Sequence, residues 1–300
     1  MPEAETDELA DLLGERRHLM NVAFRMLGSW NDAEDAVQQA YERWYRLDER
    51  DRAAIERPGA WLQTVTSRIC LNVLDSARVR RERYVGEWLP EPVPTDAAPG
   101  SSPAIDPLDR VALDDSVSMA LLVVLESLTP PERVAYVLHE VFSVPFAEIA
   151  EIVDRSPAAT RQLAASARRH IRESRRRPAT VSEHDRLVTA FREACENGDL
   201  EALAGILDPQ VVSVSDGGGR VRAALRPVVG ADHVARFLLG VLAKASPGTT
   251  IEQREVNGRA GFAVTDGGRV TGVVALGTTE GGIRDLWIML NPDKLHAWNR

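Results

Sequence analysis

The sequence predicts a multidomain chain: two all-α domains, the second built around a helix-turn-helix, then an α+β domain with a curved antiparallel sheet. Three observations carry this. Apolar residues recur at helical spacing as far as residue 83 and again from 111 to 177. Between those stretches, prolines at 90, 92, 94, 98, 103 and 107 and the triplet Gly100-Ser101-Ser102 have the composition of a linker. Beyond residue 210 apolar and polar residues alternate, with Asn257-Gly258 and Asp266-Gly267 as tight-turn signals between strands.

A chain of 300 residues has room for two or three domains, and a hydrophobic share of 44% excludes disorder throughout. No apolar run reaches the roughly 18 residues needed to span a bilayer, so no membrane association is expected. Met1-Pro2-Glu3-Ala4-Glu5 is acidic and lacks a signal pattern, which points to a cytoplasmic protein. Cys70 and Cys195 fit no metal-ligand spacing and are expected to be reduced and buried; neither metal nor cofactor is expected. A net charge of −9 argues at first sight against a nucleic-acid partner. Distribution matters more: residues 155–177 hold eight arginines against the single Glu173, a locally basic segment inside an acidic protein.

In chain order, Leu9, Leu12 and Leu13 open a first helix that continues through Leu19 to Leu27. A second starts at Asp32, with Asn31 and Glu34 forming a capping-box pattern and Asp32, Glu34 and Asp35 in the first turn. Val37, Ala40, Tyr41, Trp44 and Tyr45 mark its inner face. Asp35, Gln38, Gln39 and Glu42 mark the outer one, an acidic, glutamine-rich surface that suits a basic partner and equally suits plain solvation. The last helix of this part runs from Ala60 to Arg83. Arg68, Asn72, Asp75 and Arg78 form a stripe along it, and Arg80, Arg81 and Arg83 form a basic end. Arginine tracks with pockets for unstacked bases are the chemistry that holds single strands. Trp61, at the helix start, reads either as a stacking platform or as a core residue. In the linker, Trp88-Leu89-Pro90 places a large aromatic where exposure is unfavourable, so a docking site for it is expected.

The second helical part reads as Leu113 to Leu128, ending before Thr129-Pro130-Pro131, then Glu132 to Val141, Phe146 to Val153, and a fourth helix from Ser156. Ser156 is a good N-cap and Pro157 suits the first helical position. Thr160, Leu163, Ala164, Ala167 and Ile171 fall inward, which leaves Arg161, Gln162, Ala165, Arg168, Arg169 and Arg172 outward. Early residues of a recognition helix reach base edges, where arginine pairs with guanine and glutamine with adenine. Arg168, Arg169 and Arg172 lie further along and suit phosphates.

The C-terminal part reads as helices from Leu187 to Leu207, interrupted near Asn197-Gly198, and from Ala231 to Ala245. The expected strands are Val211–Val214, Arg220–Val229, Thr250–Val256, Arg259–Val264, Val270–Gly277 and Ile283–Leu290. Asp216, His233 and Asp285 are candidates for an inward polar group. No Asp–His pair can be placed, so no catalytic residue is assigned. Gly217, Gly218 and Gly219 exceed what a turn needs and would permit close backbone approach, although a simple hairpin turn also explains them.

This order of motifs resembles the extracytoplasmic-function class of bacterial RNA polymerase sigma factors: Asp32 to Gln38, then Arg57-Pro58-Gly59-Ala60-Trp61-Leu62, then the helix-turn-helix. The resemblance implies sigma domain 2 at 7–83, a linker at 84–110 and sigma domain 4 at 111–177. Residues 182–300 would form a SnoaL-like regulatory domain. It implies that Asp32, Glu34, Asp35, Gln38, Gln39 and Glu42 dock on the clamp helices of the RNA polymerase core. Trp61, Arg68, Asn72, Asp75, Arg78, Arg80 and Arg81 would take the −10 strand. Arg161, Gln162, Arg168, Arg169 and Arg172 would read the −35 duplex. A subgroup with a fused SnoaL-like extension shares Trp88-Leu89-Pro90, Asp216-Gly217-Gly218-Gly219 and Asn291-Pro292-Asp293-Lys294-Leu295. In that subgroup the extension regulates in cis, and Trp88 is expected to dock near Asp216–Gly219 or Asn291–Lys294. Two alternatives stay open: a SnoaL-like domain that binds a small molecule in its pocket or acts as an enzyme, and a DNA-binding regulator independent of polymerase.

Overall fold

The computed structural model describes residues 2–81, 84–94, 118–174 and 178–299, with the side chains of 2–14 and 77–81 left aside. These form two compact units. The first comprises 2–81 and 124–174. The second comprises 84–94, 118–123 and 178–299. The expected residues 95–110 of the linker, Arg83, and the start of the 113–128 helix lie outside the described residues.

In the first unit, α1 (Pro2–Leu27) is one unbroken helix. α2 (Trp30–Arg46) starts earlier than expected: the Ser29 hydroxyl accepts from the Asp32 amide at 3.3 Å, so Asn31 lies within the helix and caps nothing. Ser29 has the extended backbone that a cap requires, φ −132° and ψ 128°, and this settles the choice between two good capping residues. α2 buries Ala33, Ala36, Val37 and Ala40, whereas Tyr45, expected inward, is 61% exposed. A short α3 (Glu49–Ala53), capped by Asp48, comes next, and α4 (Pro58–Arg81) follows with Pro58 in its first turn.

α5 (Met119–Glu126) gives its first turn to the second unit and its end to the first. α6 (Pro130–Tyr136) takes in both prolines that were expected to separate helices. Pro130 can open a helix because its missing N–H would have no partner there, and the Glu132 carboxylate accepts from the Thr129 amide and hydroxyl at 3.1 and 2.7 Å. α6 widens into a π turn (Val137–Val141); α7 (Phe146–Val153) and α8 (Pro157–Ser174) complete the unit. The two helical parts pack as one body. Arg133 of α6, only 2% exposed, donates to the Met26 carbonyl at 3.0 Å and to Glu126 at 2.8 Å. That carbonyl is among the last of α1, a group the helix leaves without an internal partner.

In the second unit, α9 (Val181–Asn197) ends at Gly198 in the left-handed conformation, and α10 (Leu200–Ile206) starts from the Asp199 cap. The break falls at the expected Asn197-Gly198. β1 (Leu207–Asp216), β2 (Val228–Val229), α11 (Ala231–Leu242), β3 (Thr249–Val256), β4 (Arg259–Asp266), β5 (Arg269–Thr279) and β6 (Gly282–Met289) follow. The sheet order is β2-β1-β6-β5-β4-β3, and all neighbours are antiparallel except β1 beside β6. β2 has two residues where a longer strand was expected, because Gly217 turns the chain: its carbonyl accepts from the amides of Arg220 and Val221 at 3.0 and 3.1 Å. The first hairpin turns at Asn257-Gly258; the second turns at Gly267-Gly268, one residue later than Asp266-Gly267, leaving Asp266 paired with Arg269.

Alternation divides the sheet. Phe262, Leu276 and Leu286 face α9, α10 and α11 with Val188, Phe191, Leu203 and Val234. Val273, Ala275, Trp287 and Met289 face the other way and pack with Leu89, Met119 and Leu295. On the buried face of α9 lies His184, 1% exposed, with Nδ1 2.8 Å from the Thr278 hydroxyl and Nε2 2.8 Å from the Ala260 carbonyl. A carbonyl only accepts, so Nε2 carries the proton and Nδ1 accepts from Thr278 in the neutral ring. Burial, with the Arg259 charge adding, holds this ring below the ordinary histidine range. In the unfolded chain the ring protonates first as pH drops through about 6.5. Stability present at neutral pH is therefore lost below that point, by at most about 1.4 kcal/mol per pH unit. The difference in urea midpoint between pH 7.5 and pH 5.5 should shrink in His184→Gln; an unchanged difference would remove His184 as its source.

Candidate functional site

The recognition-helix geometry follows from its turn. α7 ends at Asp154, left-handed at φ 52°, and Ser156 caps α8 by accepting from the Ala159 amide at 3.2 Å. This orientation buries Thr160, Ala164, Ala167 and Ile171 and exposes Arg161, Gln162, Arg168, Arg169 and Arg172. The guanidinium of Arg161 lies 5.6 Å from the Phe146 ring centre.

On α2, Asp35, Gln38, Gln39 and Glu42 are exposed, while Asp32 and Glu34 are partly covered in the first turn. Glu34 is tied to Arg16 at 3.2 Å and Glu42 to Arg46 at 3.6 Å, both surface pairs of small energetic weight. On α4, Arg68, Asn72 and Asp75 are exposed along one stripe. Arg68 donates to the Glu151 carbonyl at 3.0 Å and Arg57 pairs with Glu148 at 3.4 Å, so α7 occupies the start of that stripe. Trp61 packs against Trp44, ring centres 5.3 Å apart, as part of the α2–α4 contact. The side chains of Arg78, Arg80 and Arg81 are outside the described residues.

The second unit gathers a third set. Residues 84–94, expected to be a flexible tether, form an ordered strap over the sheet face opposite the helices. Leu89 and Val93 are each 2% exposed, and the strap is tied down along its length. Asn257 accepts from the Val93 amide at 3.1 Å and donates its own amide to the Val93 carbonyl at 2.9 Å, while Trp298 Nε1 donates to the Pro92 carbonyl at 2.8 Å. At its start lies Asp216, fully buried. Its Oδ1 accepts from the Tyr84 hydroxyl at 2.6 Å and the Gly218 amide at 3.0 Å; its Oδ2 accepts from the Leu89 amide at 2.9 Å and Lys294 Nζ at 2.8 Å. Lys294 also donates to the Leu89 carbonyl at 2.6 Å and sits 3.9 Å from the Trp88 ring centre, a cation over an aromatic face. Asn291 donates to the Tyr84 hydroxyl at 2.9 Å. Burial, then the hydrogen bond and charge of Asp216, push the Tyr84 hydroxyl well above the usual tyrosine range.

The glycines serve this packing. Gly218 has φ +60°, and a Cβ there would stand 2.3 Å from Asn291 Nδ2; one on Gly217 would stand 2.3 Å from the Val221 carbonyl oxygen. The close neighbours are thus the Asn291 side chain and the loop's own carbonyl. Asp216, Gly217–Gly219, Asn291, Lys294 and Trp88–Leu89 therefore meet at one place; Pro90 continues the buried strap, and Asp293 pairs with Arg220 at 3.2 Å on its rim. His233 is exposed, its Nδ1 3.1 Å from the Val229 carbonyl, and Asp285 is half-buried, so these two do not join Asp216. Tyr84, Trp298 and His184 escaped the sequence reading, in which Asn257 figured only as a turn residue. Among the described residues, no group of His, Cys, Asp and Glu could hold a metal ion, and no helix is long and apolar enough to cross a membrane.

Comparison with known proteins gives this geometry its context. The family model for Sigma-70 region 2 matches residues 14–82, and that for Sigma-70, region 4 matches residues 118–171. The ECF RNA polymerase sigma factor SigJ of Mycobacterium tuberculosis is 40% identical over 96% of this chain and 93% of its own. The chain is an ECF RNA polymerase sigma factor. A second relative, the probable ECF sigma factor SigI of the same species, is 39% identical over 93% of this chain and 92% of its own. The crystal structure of Mycobacterium tuberculosis SigJ superposes with a TM-score of 0.74 at 37% identity, covering 96% of this sigma factor and 98% of SigJ. The likeness therefore includes the C-terminal α+β unit. As a member of this family the chain is a transcription initiation factor that works with RNA polymerase on promoter DNA, and not an enzyme.

Proposed function

We propose that this sigma factor docks on the polymerase clamp helices through Asp32, Glu34, Asp35, Gln38, Gln39 and Glu42. The −10 strand is held by the α4 stripe of Arg68, Asn72, Asp75 and Arg78, with Trp61, Arg80 and Arg81. The −35 duplex is read by Arg161 and Gln162, with Arg168, Arg169 and Arg172 on phosphates. The C-terminal domain regulates these activities in cis by fastening the strap. The observation that carries the cis reading is the closed set of bonds from Asp216 and Lys294 to both backbone groups of Leu89. A segment that only linked two domains would not need a buried ion pair on its main chain. The hold of α7 on Arg68 and Arg57 supports a free state in which the −10 surface is partly occupied.

Transcription in vitro with core polymerase tests the reading. Trp88→Ala removes the ring over Lys294 and weakens the fastening by about 0.5–2 kcal/mol, too little to unfold the domain. Promoter output should change at least two-fold while the melting temperature falls only a few degrees. Output equal to wild type at every factor concentration would refute the cis role, and no stimulation of core polymerase by either protein would refute promoter recognition itself.

A further inference from the structure

The outward arginines of the helix-turn-helix are not equivalent. Arg155 donates to the Asp154 carbonyl at 2.7 Å, and Arg161 rests over Phe146. Arg168 is ion-paired with Glu140 through a direct hydrogen bond. Arg169 and Arg172 make no ion pair among the described residues. Glu140 reaches Arg168 from the π turn Val137–Val141, where the helix leaves the α pattern. Such turns re-aim the side chains they carry and frequently occur at functional places. Both partners are solvent-accessible, at 46% for the arginine side chain and 26% for the glutamate. The carboxylate therefore sits at the water-facing side of the recognition helix, well inside one Debye length of any phosphate that Arg168 could meet.

We propose that Glu140 sets the duplex affinity of this sigma factor by competing with DNA phosphate for Arg168. The proposal rests on the reading of α8 as the duplex-binding helix. The physical reason is charge balance. A phosphate neutralised by an unheld arginine releases a condensed counterion, whereas Arg168 must first give up a carboxylate that then stays beside the DNA backbone. The helix thus binds less tightly than its arginine count implies. That keeps a factor with a locally basic helix from being captured by non-promoter DNA.

The test is duplex binding by the full chain to a mixed-sequence fluorescent DNA across a salt series, which reports the phosphate contribution without knowledge of the promoter. Glu140→Gln keeps the shape and removes the charge. It should tighten binding on the order of five-fold at about 0.1 M salt and steepen the log–log salt slope by about 0.9. Arg168→Ala should flatten the slope by less than Arg169→Ala does, since Glu140 already offsets part of its charge, and Arg168→Ala added to Glu140→Gln should cancel the gain. If Glu140 instead positions Arg168 for DNA, Glu140→Gln will weaken binding and flatten the slope, which overturns the proposal. Arg169→Ala separates the two levels of the argument. If it weakens binding while Glu140→Gln changes nothing, the competition is refuted and the duplex-binding helix stands. If neither variant has an effect, both fall.

Discussion

Asp216→Asn is expected to destabilise the C-terminal unit by about 3–5 kcal/mol, the usual result of leaving a buried charge without its partner. Asp216 accepts four hydrogen bonds, from Tyr84, Gly218, Leu89 and Lys294. An amide can accept on only one side; its NH2 must then face either the Tyr84 hydroxyl and Gly218 amide or the Leu89 amide and Lys294 ammonium, a conflict of donor against donor. Lys294 keeps the Leu89 carbonyl and the Trp88 face, which places the expected loss toward the lower end of the range. A loss of 3 kcal/mol corresponds to a fall in melting temperature of roughly 10 °C for a unit of this size. Adding Lys294→Met should restore part of it, since removing both charges leaves neither uncompensated. The strap should become sensitive to protease between Tyr84 and Pro94 before the rest of the chain unfolds. Urea melts of the single and double variants, read alongside cleavage mapping, check this. A single variant within 1 kcal/mol of wild type would mean that the ion pair does not hold the strap.

The sequence carried this cluster unevenly, for identifiable reasons. Trp88, Asp216 and Lys294 sit in short motifs that mark themselves: an aromatic in a proline-rich stretch, an acid before three glycines, a lysine in a chain with only two. Tyr84 and Asn257 are single polar residues whose partners lie 132 and 164 positions away, and no local pattern encodes such a distance. The faces of α8 were legible because a 3.6-residue period fixes which side is buried once the start is known. The start of α2 was not, because Ser29 and Asn31 are both good caps and backbone conformation alone decides between them. The union of the two helical parts into one unit was hidden for another reason. It depends on Arg133 and on Arg25, whose guanidinium lies 5.6 Å from the Phe142 ring centre; arginines are mostly surface residues, yet these two are 2% and 1% exposed. Residues 220–229 suggested a strand, but the hydrogen bonds to the Gly217 carbonyl turn the chain at their start.

Reversing charge at Asp35 and Glu42 together, as Asp35→Arg with Glu42→Arg, is expected to lower affinity for core polymerase on the order of 100-fold or more. Charged contacts across an interface cost 2–5 kcal/mol when one partner is lost, and about 2.7 kcal/mol already corresponds to 100-fold. These two positions suit the test because the fold makes little use of them. Asp35 is exposed, and among the described residues Glu42 has only the surface partners Gln38 and Arg46 at 3.5 and 3.6 Å. Glu34 would be a poor choice, since its pairing with Arg16 of α1 would confuse docking with folding. Stability should therefore stay within about 0.5 kcal/mol of wild type, as for most surface substitutions. Duplex binding through α8 should be unchanged, since that helix belongs to a different surface. The combination discriminates between ways of working: a factor that acts only by binding promoter duplex would keep its activity, and one that must grip polymerase through α2 would lose initiation while keeping its fold and its DNA affinity. Full initiation by the doubly reversed variant would move the polymerase contact off α2 altogether.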